Sequence, residues 1–151
     1  MARPYPWKCR SCGKQTLSPT VVNYATVMEH DGRSYSFTVP DLAILECTAC
    51  HERVLPDESF EKVLHQLRTE AGLLTPAEIR EQRKQLGLTQ EQFANQLNVA
   101  KETVSRWETG GQIQQRGFDT LLRLYFHFPD VRKYLAKGVK TAHPLAIPAT
   151  A

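Results

Sequence analysis

The 151-residue chain has four cysteines, and they come as two spaced pairs, Cys9-Arg-Ser-Cys12 and Cys47-Thr-Ala-Cys50. A two-residue spacer lets one tight turn aim two sulfurs at one ion. Two such knuckles facing each other complete the tetrahedral shell that zinc favours. A redox dithiol needs a single pair at the start of a helix in a βαβ unit, and nothing here supplies that context. A disulfide framework goes with a secretory leader, whereas MARPYPWKC has no apolar run before its charged residues and prolines. No stretch approaches the roughly 18 apolar residues of a membrane span. The reading is a reduced, cytoplasmic chain. One structural zinc is expected, held by Cys9, Cys12, Cys47 and Cys50. Four thiolates leave no open position for water, so neither catalysis by the metal nor any catalytic residue is expected. His30 and His51 read as surface residues, because the shell is complete without them.

The segment between the pairs reads as β-structure. Val21–Glu29 alternates and is rich in β-branched and aromatic residues, which predicts a strand. His30-Asp31-Gly32-Arg33 is a hairpin turn, because glycine tolerates the positive φ of a tight turn. Residues 34–39 return as a second strand, Pro40-Asp41 is expected to break it, and residues 42–46 form a short third strand that delivers Cys47. Only 34 residues lie between the knuckles, so the metal is expected to do much of the stabilising. Beyond Pro56, Asp57 is expected to cap a helix with Phe60, Val63, Leu64 and Leu67 at helical spacing, closed by Gly72.

From residue 75 the pattern is helical. Thr75-Pro76-Ala77-Glu78 and Thr89-Gln90-Glu91-Gln92 are both capping boxes. The first opens a helix with Ile79, Arg83 and Leu86 on related faces. The second opens a short helix that turns Phe93, Ala94 and Leu97 inward. Asn98-Val99-Ala100 is a tight turn, and a third helix follows with Val104 and Trp107 inward. Two short helices joined by three residues describe a helix-turn-helix. Phe118, Leu121, Leu122, Leu124 and Tyr125 mark a fourth helix. Val131, Tyr134 and Leu135 mark a fifth, after Pro129-Asp130. Charge follows this division. Residues 1–56 carry six Lys/Arg and five Asp/Glu, residues 57–74 two and four, and residues 75–151 eleven and seven.

A mildly basic helical half is compatible with nucleic acid. The major groove admits one helix, whose N-terminal residues reach base edges. Spacing puts Lys101, Glu102, Ser105 and Arg106 on one face of the third helix. Arg106 can fork onto guanine O6 and N7, Lys101 can reach guanine or phosphate, and Glu102 can accept from cytosine N4. Thr103 and Gln90 can bind phosphate oxygens.

RKQLGLTQEQFANQLNVAKETVSRWETG, residues 83–110, resembles the XRE (phage-repressor) helix-turn-helix family, most specifically in LTQEQFA and VSRWETG. The order CRSCG, hairpin, CTACH, connecting helix and helix-turn-helix resembles the YgiT-type zinc-finger proteins, the MqsA-like antitoxins of type II toxin–antitoxin systems, over roughly residues 7–137. The resemblance implies a structural zinc on the four cysteines. It also implies a homodimer through the helix-turn-helix domain, binding to palindromic double-stranded operator DNA with repression of its own operon, and a toxin protein held by the zinc domain. In that family an asparagine and an arginine of the third helix read bases. The arginine matches Arg106, whereas the asparagine position falls on Glu102, which implies a different operator sequence. A lone regulator with no toxin, whose zinc domain senses a ligand or serves as a rigid dimer arm, is the alternative.

The expected fold class is thus a two-domain α+β chain. A small four-cysteine zinc-binding β-hairpin domain (1–56) leads through a connector helix (57–74) to an all-α, five-helix domain of the XRE type (75–140), followed by a flexible tail (141–151).

Overall fold

The computed structural model describes residues 4–137, so the tail expected at 141–151 lies outside the described residues. The chain divides into two compact units, Met1–Leu73 and Leu74–Ala151. The first pairs an antiparallel sheet with one helix, the second is all helical, and the fold class is two-domain α+β.

The sheet of the first unit has the strand order β1 (Trp7–Lys8), β2 (Gln15–His30), β3 (Arg33–Cys47), β4 (Arg53–Val54). β2 and β3 form one long hairpin, from Leu17↔Cys47 to His30↔Arg33, with Asp31 and Gly32 both at positive φ in the turn. Both strands are longer than the alternation predicts, and Pro40-Asp41 does not break the second. Val22 pairs with Leu42 and Tyr24 with Val39, so Asn23 alone stands opposite the two residues Pro40 and Asp41. This is a β-bulge. Asp41 takes φ 49°, and its N–H donates to Asn23 Oδ1 at 3.2 Å.

The bulge resets the two-residue period. Phe37 and Val39 before it, and Leu42 and Ile44 after it, all pair with even-numbered residues of β2 and therefore share one face. All four are buried. The helix α1 (Asp57–Ala71) packs on β3 and buries Val63 and Leu67, and its Ser59 hydroxyl donates to the Ala43 carbonyl. The first unit therefore has an apolar core separate from its cysteines, which the 34 residues between the knuckles build only together with α1. That core comes from the helix read as a connector. Asp57 does not cap this helix. Pro56 occupies the N-cap with no side-chain bond, and Asp57 and Glu58 act on the first turn through charge. Gly72 closes it in the left-handed conformation.

The second unit holds α2 (Pro76–Gln85), α3 (Gln90–Leu97), α4 (Lys101–Thr109), α5 (Arg116–His127) and α6 (Pro129–Ala136). Both capping boxes form, on Thr75/Glu78 and on Thr89/Gln92. Ile79, Phe93, Ala94, Leu97, Val104, Trp107, Leu122 and Tyr125 make one core. The start of this unit is fixed by polar bonds: Asp119 accepts from the Leu74 N–H at 2.8 Å, from Gln114 at 3.0 Å and from Arg123 at 2.7 Å.

Inserting an alanine after Asn23 would give Pro40 and Asp41 a partner each, turn the bulge into regular pairing and put Phe37 and Val39 on the face opposite Leu42 and Ile44. Each large apolar side chain lost from a core costs about 1.5–3 kcal/mol. The insertion is expected to abolish the protease resistance of the first unit and leave the second resistant, whereas Asp41→Gly, which keeps the bulge, retains both.

Candidate metal centre and nucleic-acid interface

The hairpin places the knuckles. Leu17↔Cys47 pairing sets Cys47 beside the β1 turn, and the Thr48 N–H donates to the Thr16 carbonyl at 3.1 Å. The two knuckles are built alike. Cys9 N–H donates to Lys14 O at 2.8 Å, and Gly13 N–H to Cys9 O at 3.0 Å. Cys47 N–H donates to Glu52 O at 2.9 Å, and His51 N–H to Cys47 O at 2.8 Å. The fifth residue of each turn is left-handed, Gly13 at φ 76° and His51 at φ 60°. His51 thus takes a backbone position that favours glycine. Its ring leans on Glu46, with Nδ1 3.5 Å from Oε1.

The four sulfurs lie within 4.8 Å of one another. Two pairs that cross between knuckles are Cys9–Cys50 at 3.6 Å and Cys12–Cys47 at 3.7 Å. A tetrahedron with metal–sulfur bonds of about 2.3 Å has edges of about 3.8 Å, while a disulfide is about 2.05 Å. The four cysteines are positioned to bind a metal ion. The Thr16 hydroxyl, 3.0 Å from Cys47 Sγ, together with backbone amides, holds that thiol down to about 6. The Cys50 thiol is pushed up to about 12: a backbone hydrogen bond at Glu52 favours the thiolate, but the three other sulfurs and burial outweigh it. A cation resolves this conflict by taking all four as thiolates.

In the second unit, Lys101, Glu102 and Arg106 are exposed on α4, while Thr103 and Ser105 are half-buried. Asn98, left-handed at φ 56°, closes α3 and turns the chain into α4. Among the described residues none of Lys101, Glu102 and Arg106 has an ion pair, although Glu102 and Arg106 stand four apart.

What fixes α4 was not singled out by sequence reasoning. Arg83 on α2 meets Glu108 on α4 in a bidentate pair, Nε to Oε1 at 2.6 Å and an Nη2 bond to Oε2 at 2.9 Å. Arg83 also donates to the Leu88 carbonyl at 2.6 Å, and Arg80 donates to the Glu108 carbonyl. Gln90, expected at a phosphate, donates its side-chain amide to Glu108 Oε2 at 2.9 Å. Burial pushes the Glu108 carboxyl up, but Arg83, Gln90 and Arg80 overcome it and hold the group below the ordinary range. The pair could have been found: Arg83 lies one turn from Ile79 on an inward face, and Glu108 follows the inward Trp107. A charge on an apolar face calls for a partner.

The helix-turn-helix family matches residues 79–117, from α2 through α3 and α4 to the start of α5. This is the fold of DNA-binding transcription regulators, and α4 is the second helix of its helix-turn-helix. No curated protein matches the chain. Among the described residues no helix is long and apolar enough to cross a membrane.

Two outcomes follow. Purified protein is expected to carry about one metal ion per chain. Removing it with a chelator, or Cys47→Ser, should release the protected amides of Cys9, Gly13, Cys47 and His51 in hydrogen exchange without changing the second unit. For Glu108, the folded pKa is depressed, so its contribution is full above the unfolded carboxylate value of about 4.3 and is lost as pH falls through the folded value. Glu108→Gln is expected to lower the stability of the second unit by about 3 kcal/mol at neutral pH, since it leaves Arg83 buried and unpaired. Urea titrations should show the difference shrinking as the pH falls into the acid range.

Proposed function

We propose that the chain is a cytoplasmic, sequence-specific repressor that binds a palindromic operator as a homodimer through its helix-turn-helix unit. It acts as the antitoxin of a type II pair, with a structural zinc on Cys9, Cys12, Cys47 and Cys50. The observation that carries the DNA part is the state of α4. Lys101, Glu102 and Arg106 stand exposed and unpaired on a helix whose back is locked by the buried Arg83–Glu108 pair. Arg106 is assigned to guanine and Glu102 to cytosine N4. Lys101 reaches guanine or phosphate, and Ser105 sits beside them on the same face. Thr103 and the start of α3 at Gln90 meet phosphates. Gln90 does so with its backbone N–H and the side-chain N–H that Glu108 leaves over. The antitoxin part rests on the order of zinc knuckles, hairpin and helix-turn-helix, and it assigns the toxin to the zinc unit. Phe60, 46% exposed on α1, offers such a partner an apolar foothold.

One observation favours the alternative of a lone regulator that senses a ligand. A cavity of about 800 Å³ lies beside the cysteines, lined by Trp7, Leu17, Leu45 and Val54 with Lys8, Arg10 and Glu52.

Arg106→Ala is expected to cost about 1–3 kcal/mol of discrimination between operator and random duplex at fixed salt. Titrations showing an unchanged specificity ratio would remove Arg106 from the reading set. Co-expression with the adjacent reading frame separates the two readings: a co-purifying protein whose toxicity this chain suppresses supports the antitoxin.

A further inference from the structure

β2 is sixteen residues long, yet β1 covers its outer edge only at Gln15 and Leu17. From Pro19 to Glu29 that edge has no strand beside it among the described residues. Exposed edges are normally guarded by charge, proline or a bulge. The edge of β3 has Pro40 and Asp41 at its bulge. Beyond Pro19, β2 has no such guard: no charged residue occurs from Gln15 to Met28. Its inner face is also incompletely covered. α1 sits over β3, where Phe37, Val39, Leu42 and Ile44 are buried, while the opposing Val22, Tyr24 and Met28 of β2 are only half-buried. On the other face Val21 and Val27 are 62% and 65% exposed.

We propose that this edge pairs, antiparallel, with β2 of a second copy of the chain about a two-fold axis at Tyr24. The occupant follows from charge and register. A different protein is usually steered to its site by complementary charge, and this edge offers none. A two-fold axis perpendicular to the sheet keeps each side chain on its own face, so only registers that oppose residues of equal parity are open. Centring on Tyr24 sets Val21 against the Val27 of the second copy, Val22 against Thr26, and Asn23 against Ala25. Glu29 then faces Pro19, so no like charges meet. Centring one residue earlier leaves Val21 on Ala25 and Val27 on Pro19. Centring one residue later sets Val21 on Glu29. The chosen register alone pairs the two most exposed valines and extends the half-covered face across the axis with two copies of Val22, Tyr24 and Met28. It makes the first unit a second symmetric contact, and its basis is independent of how the helical unit binds DNA.

The test uses hydrogen exchange on the full-length, metal-loaded chain at high concentration, alone in solution. The β2 amides facing away from β3 between Thr20 and Met28 are expected to be protected. In V21K/V27K, lysines meet across the axis at both ends, and that protection should be lost. In V21E/V27K each glutamate meets a lysine, and protection should return. Residues 21 and 27 are too far apart along one strand to interact within a chain, so a merely structural effect would not distinguish the two variants. The β2 amides bonded to β3 report folding and should stay protected throughout. Outward amides that exchange freely in the wild type overturn the proposal and leave the edge to a partner of another sequence. Equal loss in both variants overturns the Tyr24 register.

Discussion

The Glu108 carboxylate holds α4 in place. It is almost fully buried, 1% exposed, directly after Trp107, and a buried charge survives only if its lone pairs are spent. Arg83 takes two of them and Gln90 a third. Since Arg83 also binds the Leu88 carbonyl, the pair ties together α2, the loop before α3 and α4. The exposed side chains of α4 are thus presented from a helix fixed by directional bonds as well as by apolar packing, which alone leaves more freedom of rotation. Gln90 enters the network from the start of α3, so α3 and α4 share one electrostatic anchor.

The first unit meets a similar requirement by different means. Four sulfurs must converge, and sulfur has little power to organise backbone around itself. The organising is done by hydrogen bonds that repeat in the two knuckles, each closing on a left-handed residue. These knuckles meet only because the hairpin pairs Leu17 with Cys47, and that register is compatible with a buried face only because the bulge at Pro40-Asp41 restores the parity of β3. Core and metal centre are linked through one unpaired residue. Before the bulge, odd-numbered residues of β3 point to α1. After it, even-numbered ones do, which frees Leu45 and Cys47 to face the knuckles.

Where chemistry is local, the sequence announced it. Thr75 with Glu78, Thr89 with Gln92, Asn98, Gly72 and the Asp31-Gly32 turn are each set by neighbours within four residues, and each stands where the pattern puts it. The four cysteines were legible for the same reason, as two local knuckles joined by a hairpin. The reading failed where a distant partner decides. Pro40-Asp41 reads as a break because proline cannot donate to a ladder, yet Asn23 across the hairpin accepts the Asp41 amide and keeps the strand whole. Asp57 reads as a cap, but Pro56 takes that place. α1 reads as a connector because it carries an acidic balance between the two halves, and only the buried face of β3 gives its apolar stripe a core to join. Arg83 and Glu108 lie 25 residues apart, and neither names the other.

The same distant pairings change what the net charge means. Residues 75–137 and beyond carry eleven basic and seven acidic side chains, which suggests a broadly cationic surface. Several of those cations are already engaged. Arg83 is spent on Glu108, Arg123 on Asp119 and Lys133 on Asp130, while Arg132 donates to the carbonyls of Tyr125 and Phe126 at the end of α5. Each ion pair removes a carboxylate with its cation, so the net charge is unchanged, but fewer cations are left unpaired, and Lys101 and Arg106 on α4 are among them. Glu102 beside them opposes phosphate attraction. A helix with so little surplus charge gains little from the backbone alone. On the proposed reading its affinity comes from base edges, where a carboxylate next to a guanidinium is an asset for telling one base pair from another.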